Sequence, residues 1–250
     1  DNIKPTITPP ANITINAGAN CVVTGLDLGT PVTADNCGVA TVTNNGPSTF
    51  TGGVTTVVWT VTDANGNINT ANQTVTVNDT TKPTISAPGI VTLSANSLCG
   101  ALNSIGAADA NTRFGIVAAD NCTVASLTNN GPTTFPLGYT SVVWTVTDSS
   151  GNKATANQQI NVIDDTLPTI TAPIDINVNA GATACTVTNV ALGNPIANDN
   201  CTVSSVTNNA PSIFPVGTTA VVWTVVDAAG NKATATQNVI VHDITVPTIT

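Results

Sequence analysis

The sequence has little charge and few aromatic side chains, and it contains neither Glu nor Met. Charged residues make up 8% of the 250 residues, whereas an average globular protein has roughly 25%. Lys and Arg total five against 14 acidic residues, so the formal net charge is −9 and the basic surface that nucleic acid requires is missing. No run of 18 apolar residues occurs, so the sequence predicts no membrane-spanning helix in this segment.

Residues suited to catalysis are also scarce. The chain has one histidine, His242, and no basic residue recurs beside a Ser or Thr that could act as a nucleophile. An active site needs acid, base or nucleophile side chains that converge on one place. We therefore predict that the chain is not an enzyme.

Thr and Val are abundant, and both favour strands because β-branched side chains fit a pleated surface. Val57, Trp59 and Val61 alternate with polar or smaller residues, and this period of two indicates one buried face and one solvent-facing face. Three such segments contain the tryptophans Trp59, Trp144 and Trp223. Each segment is followed by a turn of pattern Asp-x-x-Gly-Asn, which begins at Asp63, Asp148 and Asp227.

The sequence repeats itself. A Pro-Thr-Ile motif recurs at intervals of 78, 85 and 79 residues, beginning at Pro5, Pro83, Pro168 and Pro247. This predicts β-sandwich repeats at residues 1–78, 79–164 and 165–243 and the start of a fourth repeat at 244–250. The chain opens in mid-pattern at Asp1, so we expect a segment of a longer protein. The second repeat has seven extra residues around Ala107 to Arg113, which we expect to form a surface loop.

Repeats of about 80 residues made of short strands and turns are typical of a β-sandwich. We predict an all-β fold of tandem immunoglobulin-like β-sandwich repeats that form an extended rod. Strands rising ~3.3 Å per residue suggest roughly 40 Å for each repeat. The linker from Asp79 to Lys82 is too short to flex freely, and Pro83 fixes φ just beyond it.

Each repeat contains one pair of cysteines, with spacings of 16, 23 and 16 residues. The pairs lack the clustered spacing of metal ligands, and six cysteines fit an oxidising, extracellular compartment. The sequence therefore predicts one bridge within each repeat, namely Cys21–Cys37, Cys99–Cys122 and Cys185–Cys201. Closing a loop of this size contributes roughly 3 kcal/mol in the chain-entropy treatment.

Taken together, the motifs resemble the hyalin repeat (HYR) family. They are the Pro-x-Ile start, Asp-Asn-Cys at 35–37, 120–122 and 199–201, Phe-Pro-x-Gly at 135–138 and 214–217, and Val-Val-Trp-Thr-Val-x-Asp-x-x-Gly-Asn. The first repeat departs from the third motif, with Phe50-Thr51-Gly52-Gly53. The Asp-Asn-Cys version is similar to repeats of large secreted adhesins of gliding bacteria. The resemblance implies an immunoglobulin-like fold, a role in extracellular adhesion or as a spacer, and no catalytic residues.

Most of the aspartates recur in three places: four residues before the start-motif proline, at the head of Asp-Asn-Cys, and at the head of the Gly-Asn turn. Asp and Asn commonly cap turns through their own backbone, which is one interpretation. The alternative is Ca²⁺ bound by these oxygens at the junctions between repeats, since the turn must face the preceding linker. The predicted ligands are Asp79, Asp148 and Asn152 at the first junction and Asp164, Asp227 and Asn231 at the second, with Asp120 and Asp199 as further candidates.

These patterns favour a spacer or stalk in a large extracellular cell-surface adhesin or filament. Its partners are neighbouring repeats of the same chain, with cell-surface polysaccharide or the substratum as external candidates. A carbohydrate-binding module is the alternative, but the tryptophans occupy the buried phase and Tyr139 is the only tyrosine. Ice binding through arrays such as Thr60 and Thr62 is a third hypothesis, which a twisted sheet disfavours.

Overall fold

The computed structural model describes residues 1–103 and 107–247, and for residues 107–109 it describes the backbone alone. Contacts divide the chain into two compact units, one of Asp1–Pro88, Ile105–Asn130 and Val143–Asn157 and one of Gly89–Ser104, Gly131–Val142 and Gln158–Thr250. The second repeat contributes to both units. In the described ranges every element but one is a strand, which confirms the all-β prediction. The rod and the predicted domain boundaries stay predictions, and part of the predicted fourth repeat (248–250) lies outside the described residues.

The first repeat consists of eight strands. They are β1 (Thr6–Thr8), β2 (Ile13–Asn16), β3 (Val22–Thr24), β4 (Val32–Ala34), β5 (Val39–Asn44), β6 (Thr49–Thr51), β7 (Gly53–Asp63) and β8 (Ile68–Asn78). A four-stranded sheet has the order β2-β8-β7-β5, and the pairs β1-β4 and β3-β6 complete the repeat. The long hairpin of β7 and β8 gives the sheet its length.

The third repeat has the same arrangement. Its strands are β17 (Thr169–Thr171), β18 (Ile176–Asn179), β19 (Thr186–Thr188), β20 (Ile196–Asn198), β21 (Val203–Asn208), β22 (Ile213–Pro215), β23 (Gly217–Asp227) and β24 (Lys232–His242). The four-stranded sheet is β18-β24-β23-β21, with the pairs β17-β20 and β19-β22.

The second repeat is shared between the units. Its elements are β9 (Thr84–Ser86), β10 (Ile90–Ser94), β11 (Gly100–Leu102), α1 (Ala107–Phe114), β12 (Val117–Ala119), β13 (Val124–Asn129), β14 (Thr134–Pro136), β15 (Gly138–Asp148) and β16 (Lys153–Ile163). In the first unit β9 pairs with β12, and β13 pairs with residues 144–148 of β15. In the second unit β10 pairs with residues 159–163 of β16, and β11 pairs with β14. No described helix is long and apolar enough to cross a membrane.

The core of the first repeat lies on one face of the long hairpin. Val57, Trp59 and Val75 are buried, and apolar side chains of β1, β2 and β3 pack against them. The buried Trp59 indole donates to Gln73 Oε1 at 3.0 Å, and Gln73 Nε2 donates to two backbone carbonyls. The third repeat has the same contact between Trp223 and Gln237. The predicted burial of all three tryptophans is confirmed, and Phe50, Phe135 and Phe214 are buried as well.

Each repeat changes sheets near its start at a proline. In the first repeat β1 pairs antiparallel with β4, and after Pro9 and Pro10 the chain continues as β2, which pairs parallel with β8. Proline has no N–H to give to a ladder, so the pairing of the first strand ends there. After this crossover the C-terminal end of β2 lies beside the C-terminal end of β8, because parallel strands run in the same direction.

The insertion of the second repeat folds as helix α1, so the expectation of a simple surface loop is wrong. Ala110 and Phe114 are buried, and the Phe114 ring packs on Trp144 with centroids 5.4 Å apart. Gly115 has φ of 67° and ends the helix, with Gly115 N–H bonded to Asn111 O and Ile116 N–H to Ala110 O. This is the hydrogen-bond pattern that Gly favours at a helix C-terminus.

Candidate functional site: the junctions between repeats

Among the described residues, two disulfides connect successive repeats. Cys21 of the first repeat is bonded to Cys122 of the second, and Cys99 of the second is bonded to Cys201 of the third. Cys37 and Cys185 are exposed free thiols. The expectation of disulfide bonding is confirmed, but the predicted pairs Cys21–Cys37, Cys99–Cys122 and Cys185–Cys201 are wrong.

Strand direction explains the correction. Because β2 runs parallel to β8, and Ala17 N–H bonds to Asn78 O, Cys21 lies at the exit end of the repeat, where β8 ends. β4 runs antiparallel to β1, so Cys37 lies at the entrance end, where β1 begins. The 11 residues of β8 span about 36 Å. Cys21 and Cys37 therefore lie at opposite ends of the first repeat, whereas the bonded cysteines have Cα atoms 4.6 and 4.7 Å apart.

The turn from Asp148 to Asn152 is fixed to the linker before its own repeat. Asp148 Oδ1 accepts the N–H groups of Ser150 and Asn152 at 2.9 and 2.8 Å, and Oδ2 accepts from Asn152 Nδ2 at 2.8 Å. The same Nδ2 donates to the carbonyls of Asp79 and Thr81, both at 3.2 Å. Equivalent bonds join Asp227, Asn231 and the linker of the third repeat. The predicted meeting of turn and linker is thus observed.

These contacts change the acidity of the turn carboxylates. Burial alone raises the pKa of Asp148, but hydrogen bonds from Asn152, Ser150 and Gly151 stabilise the charged form and bring the pKa below its ordinary value. Burial likewise raises the pKa of Asp227, but hydrogen bonds from the turn bring it below its ordinary value. For Asp63 the side-chain hydrogen bond from Asn67 is the largest cause of a lowered pKa. The turn interpretation therefore accounts well for these three aspartates.

The Asp-Asn-Cys motif leaves oxygens without partners. Asp120 Oδ2 accepts the Cys122 N–H at 2.8 Å, and Asn121 Nδ2 donates to the Gly18 carbonyl of the preceding repeat at 3.4 Å. The other oxygens, Asp120 Oδ1 and Asn121 Oδ1, are buried and have no hydrogen-bond partner. The motif of the third repeat has the same bonds and the same two unpartnered oxygens, on Asp199 and Asn200.

In each of the two linker aspartates, one carboxylate oxygen accepts a hydrogen bond and the other has no partner. Asp79 is 9% exposed and Asp164 is 8% exposed. In each, Oδ1 accepts a backbone N–H two residues on, from Thr81 at 3.0 Å and from Thr166 at 3.2 Å. Oδ2 of both residues is buried without a partner. Buried charged oxygens without partners are costly, so turn capping does not account for them.

Acidic side chains converge at each junction. Ligand atoms of Asp79, Asp120 and Cys122 lie within 4.8 Å of one another, as do those of Asp164, Asp199 and Asp227. Ionised carboxylates at such a short separation repel one another. Carboxylate and amide oxygens are hard ligands that suit Ca²⁺, and a cation there would replace the repulsion by attraction.

The structure thus brings together much of the predicted ligand set. The carboxylate group at the first junction does not include Asp148, whereas its equivalent Asp227 belongs to the group at the second junction. Asn152 and Asn231 hold the linker through Nδ2, so a ligand role for them stays a prediction. Sequence reasoning missed Asn121 and Asn200, although their position inside a recurring Asp-Asn-Cys motif was the available signal.

A further acidic group was missed at the entrance end of the first repeat. Ligand atoms of Asp1, Asp35 and Asp63 lie within 4.8 Å of one another, and Asp35 Oδ1 is buried without a partner. These three residues occupy the same three motif positions as the aspartates of the two junctions. The repeated spacing was the signal that could have identified the group.

Comparison with protein families supports the HYR assignment. Residues 163–241 match the HYR domain family. The chain is similar to Hyalin of Strongylocentrotus purpuratus, with 38% identity over 83% of this chain and 18% of that protein. It is also similar to Hyalin of Lytechinus variegatus, with 35% identity over 88% of this chain and 43% of that protein. The chain therefore spans less than half the length of these curated relatives.

Solved structures give a weaker likeness. The EC1–3 segment of Drosophila N-cadherin matches 95% of this chain and 99% of its own with 8% identity and a TM-score of 0.36. The EC21–23 segment of human CDH23 matches 95% of this chain and 100% of its own with 11% identity and a TM-score of 0.34. At such scores the likeness carries no argument about this chain.

Proposed function

We propose that the whole chain is an array of HYR repeats and acts as a structural segment, a spacer or stalk, of an extracellular adhesive protein. The HYR match of the third repeat and the similarity to hyalin over most of the chain support this proposal. Two disulfides among the described residues support an oxidising, extracellular location. The bacterial origin suggested by the sequence motifs stays a prediction.

The observation that carries the proposal is that covalent bonds link residues of successive repeats. Cys21–Cys122 and Cys99–Cys201 each cross a linker that is also held by a turn asparagine, Asn152 or Asn231. Free domains on a string need no such connections, whereas a spacer that transmits load or keeps an orientation benefits from them. The same connections support the rod of three stacked repeats that we propose.

Calcium at the junctions is the second part of the proposal. The unpartnered oxygens of Asp79, Asp120 and Asn121 supply two negative charges and one neutral ligand at the first junction. Asp164, Asp199, Asp227 and Asn200 supply the second. These donors fit a hard cation, and Ca²⁺ tolerates the 6–8 oxygen ligands and irregular geometry that a linker and two loops can offer. Bound calcium would stabilise the folded chain by mass action.

The test is calcium titration of the full chain by calorimetry, with melting curves in calcium and in chelator. We expect two sites with dissociation constants of about 10⁻⁴ to 10⁻³ M, as in other extracellular modules, and a higher melting temperature with calcium. Asp120→Asn should weaken the first site, and Asp199→Asn the second. Asp27→Asn is the matched control, because Asp27 caps Gly29 in an exposed loop and should not alter binding.

Small-angle scattering under the same two conditions tests the spacer role. A stiff array should keep its maximum dimension in calcium and sample shorter dimensions in chelator. If chelator changes neither the melting temperature nor the scattering, and no heat of binding appears, the junction aspartates serve only as turn caps. A compact particle under both conditions would contradict the rod itself.

The carbohydrate-binding alternative receives little support from the aromatic residues. In the described part of the chain all seven Trp and Phe side chains are buried, and Tyr139 is the only exposed aromatic, at 68%. A single exposed ring is a small platform for stacking on a sugar. Glycan-array binding that is lost in Tyr139→Ala would restore this alternative.

A further inference from the structure

We propose that the free thiols Cys37 and Cys185 are complementary halves of one more inter-repeat disulfide, and that each joins this chain covalently to another repeat of the same pattern. Cys37 is an entrance-end cysteine, like Cys122 and Cys201, which are both bonded. Cys185 is an exit-end cysteine, like Cys21 and Cys99, which are also both bonded. Every bridge in the structure joins one cysteine of each type.

The entrance end of the first repeat is built like the two ends that already hold a bridge. Asp35 Oδ2 accepts the Cys37 N–H at 2.8 Å, and Asn36 Nδ2 donates to Cys37 Sγ at 3.2 Å. The bonded Cys122 has both contacts, from Asp120 and Asn121. Cys37 thus has the local geometry of a bonded cysteine, and the residue is exposed.

The acidic group beside Cys37 is a second, independent observation. Asp1, Asp35 and Asp63 converge within 4.8 Å, and Asp35 Oδ1 is buried and unpartnered, as Asp120 Oδ1 is. Asn67 Nδ2 also donates to the Asp1 carbonyl at 3.1 Å, which matches the turn-to-linker bond of each junction. The complete entrance half of a junction is therefore present here, beside a thiol that has no partner.

The exit end of the third repeat supplies the opposite half. Ala180 N–H bonds to His242 O at 2.8 Å, as Ala17 bonds to Asn78 at the exit of the first repeat. The Cys185 carbonyl accepts Val216 N–H at 3.0 Å, as the Cys21 carbonyl accepts Gly52 N–H at 3.1 Å. The turn before Cys185 is one residue longer, but it delivers the cysteine to the same position before its strand.

The chemistry is thiol–disulfide exchange with a small disulfide such as oxidised glutathione. The thiolate of one cysteine attacks a glutathione sulfur and releases one glutathione as thiolate. The thiolate of the complementary cysteine then attacks the protein sulfur of the mixed disulfide and releases the second glutathione. Two protein thiols lose two electrons and two protons, and one oxidised glutathione becomes two reduced molecules.

A four-repeat chain tests the inference in one molecule. Residues 9–78 are appended after Thr250, which keeps the register because Val246 to Thr250 matches Lys4 to Thr8. After refolding with oxidised and reduced glutathione, free thiols are alkylated and peptides are mapped. We expect Cys185 to be bonded to the appended copy of Cys37, with its alkylation at least ten-fold lower than in the three-repeat chain. The original Cys37 serves as the free-thiol reference and Cys21 as the bonded reference.

A second measurement uses the original chain and does not depend on the folding of the addition. Cys37→Ser and Cys185→Ser variants are incubated with oxidised glutathione, separately and mixed. Only the mixture contains free cysteines of both types, so disulfide-linked dimer should be at least ten-fold more abundant there. The junction peptide of this dimer should contain Cys185 and Cys37. Equal amounts of dimer from either variant alone would overturn the inference. So would a four-repeat chain with both resident bridges closed in which Cys185 is alkylated as fully as the original Cys37.

Discussion

The side-chain amide of Asn152 donates to the backbone carbonyl of Asp79 at 3.2 Å, across 73 residues of sequence. Asn231 makes the same bond to Asp164 at 3.1 Å, and Asn67 makes it to Asp1 at 3.1 Å. The last hairpin turn of each repeat therefore holds the linker through which the chain enters that repeat. The direction of the linker is thus fixed by a side chain far along the sequence.

Removing this amide should loosen the linker. Asn152→Ala loses two hydrogen bonds to backbone carbonyls, and we expect the free energy of unfolding to fall by about 1–2 kcal/mol. Denaturant unfolding followed by tryptophan fluorescence measures the change. Asn72→Ala is the control, because Asn72 is exposed on β8 and surface changes usually remain within about 0.5 kcal/mol. Equal effects of the two substitutions would contradict the linker role.

The buried Trp59–Gln73 pair should be sensitive to an apolar substitution. Gln73→Leu leaves the Trp59 indole N–H and the carbonyls of Ala11 and Leu28 without these partners. We expect a loss of about 2–4 kcal/mol in the free energy of unfolding. Gln159→Leu is the matched control on the exposed face of β16. If Gln73→Leu proved as stable as the control, the polar pair would have no structural role.

The bridges between repeats should contribute strongly to stability, whereas the free thiols should not. Cys21 and Cys122 enclose 101 residues, and closing a loop of this length stabilises the folded state by about 4–5 kcal/mol in the chain-entropy treatment. Cys21→Ser should therefore lower the denaturant midpoint markedly. Cys37→Ser is the control and should leave it unchanged. A fall of equal size in Cys37→Ser would indicate that Cys37 is bonded in the folded chain.

Acid should destabilise the repeats through the turn aspartates. The pKa values of Asp63, Asp148 and Asp227 are lowered in the folded state. Their stabilising effect is therefore complete above the unfolded carboxyl pKa of about 4 and is lost as pH falls through the lower folded values. We expect a nearly constant melting temperature from about pH 7 to 5 and a fall below about pH 4. Asp148→Asn should show a shallower fall, and an identical acid profile would contradict this assignment.

Helix α1 should belong to the core of the second repeat. Phe114 is fully buried against Trp144, so Phe114→Ala should cost about 3–5 kcal/mol. Arg113→Ala is the neighbouring control and removes only a partly exposed side chain over the Phe114 ring. Thermal unfolding compares the two variants. A Phe114→Ala protein as stable as the control would restore the view that this insertion is a dispensable loop.

The sequence predicted the structure well where a period-two alternation of side chains identified the buried face of a strand. The alternation around Trp59 predicted the buried face of β7, and the same alternation around Trp144 and Trp223 predicted the buried faces of β15 and β23. Asp63 and its equivalents were recognisable as turn residues because a Gly-Asn pair followed them. The meeting of turn and linker was also predictable, because two antiparallel strands of equal length must return the chain to its starting end.

The predictions of the cysteine pairing and of the inserted loop were wrong because they depended on weak local sequence signals. Short strands such as β1 and β2 left it open which end of the repeat holds Cys37, so nearness in sequence was mistaken for nearness in space. Pro10 marks the sheet change after which β2 carries the chain to the exit end, where Cys21 lies, but a proline fits a turn equally well. Gly115 signals the end of a helix, yet eight residues between strands show too little periodicity to reveal one.

The pairing of the cysteines limits how far the chain can be stretched. Without bridges, 180 residues separate Cys21 from Cys201, and a fully drawn chain would place them about 600 Å apart. With both bridges closed, the shortest covalent route runs from Cys21 to Cys122, back to Cys99 and on to Cys201. Its backbone part spans 23 residue steps, from Cys99 to Cys122, and the route extends to only about 90 Å. Tension could unfold the strands between these cysteines, but the bridges would still limit the distance between Cys21 and Cys201.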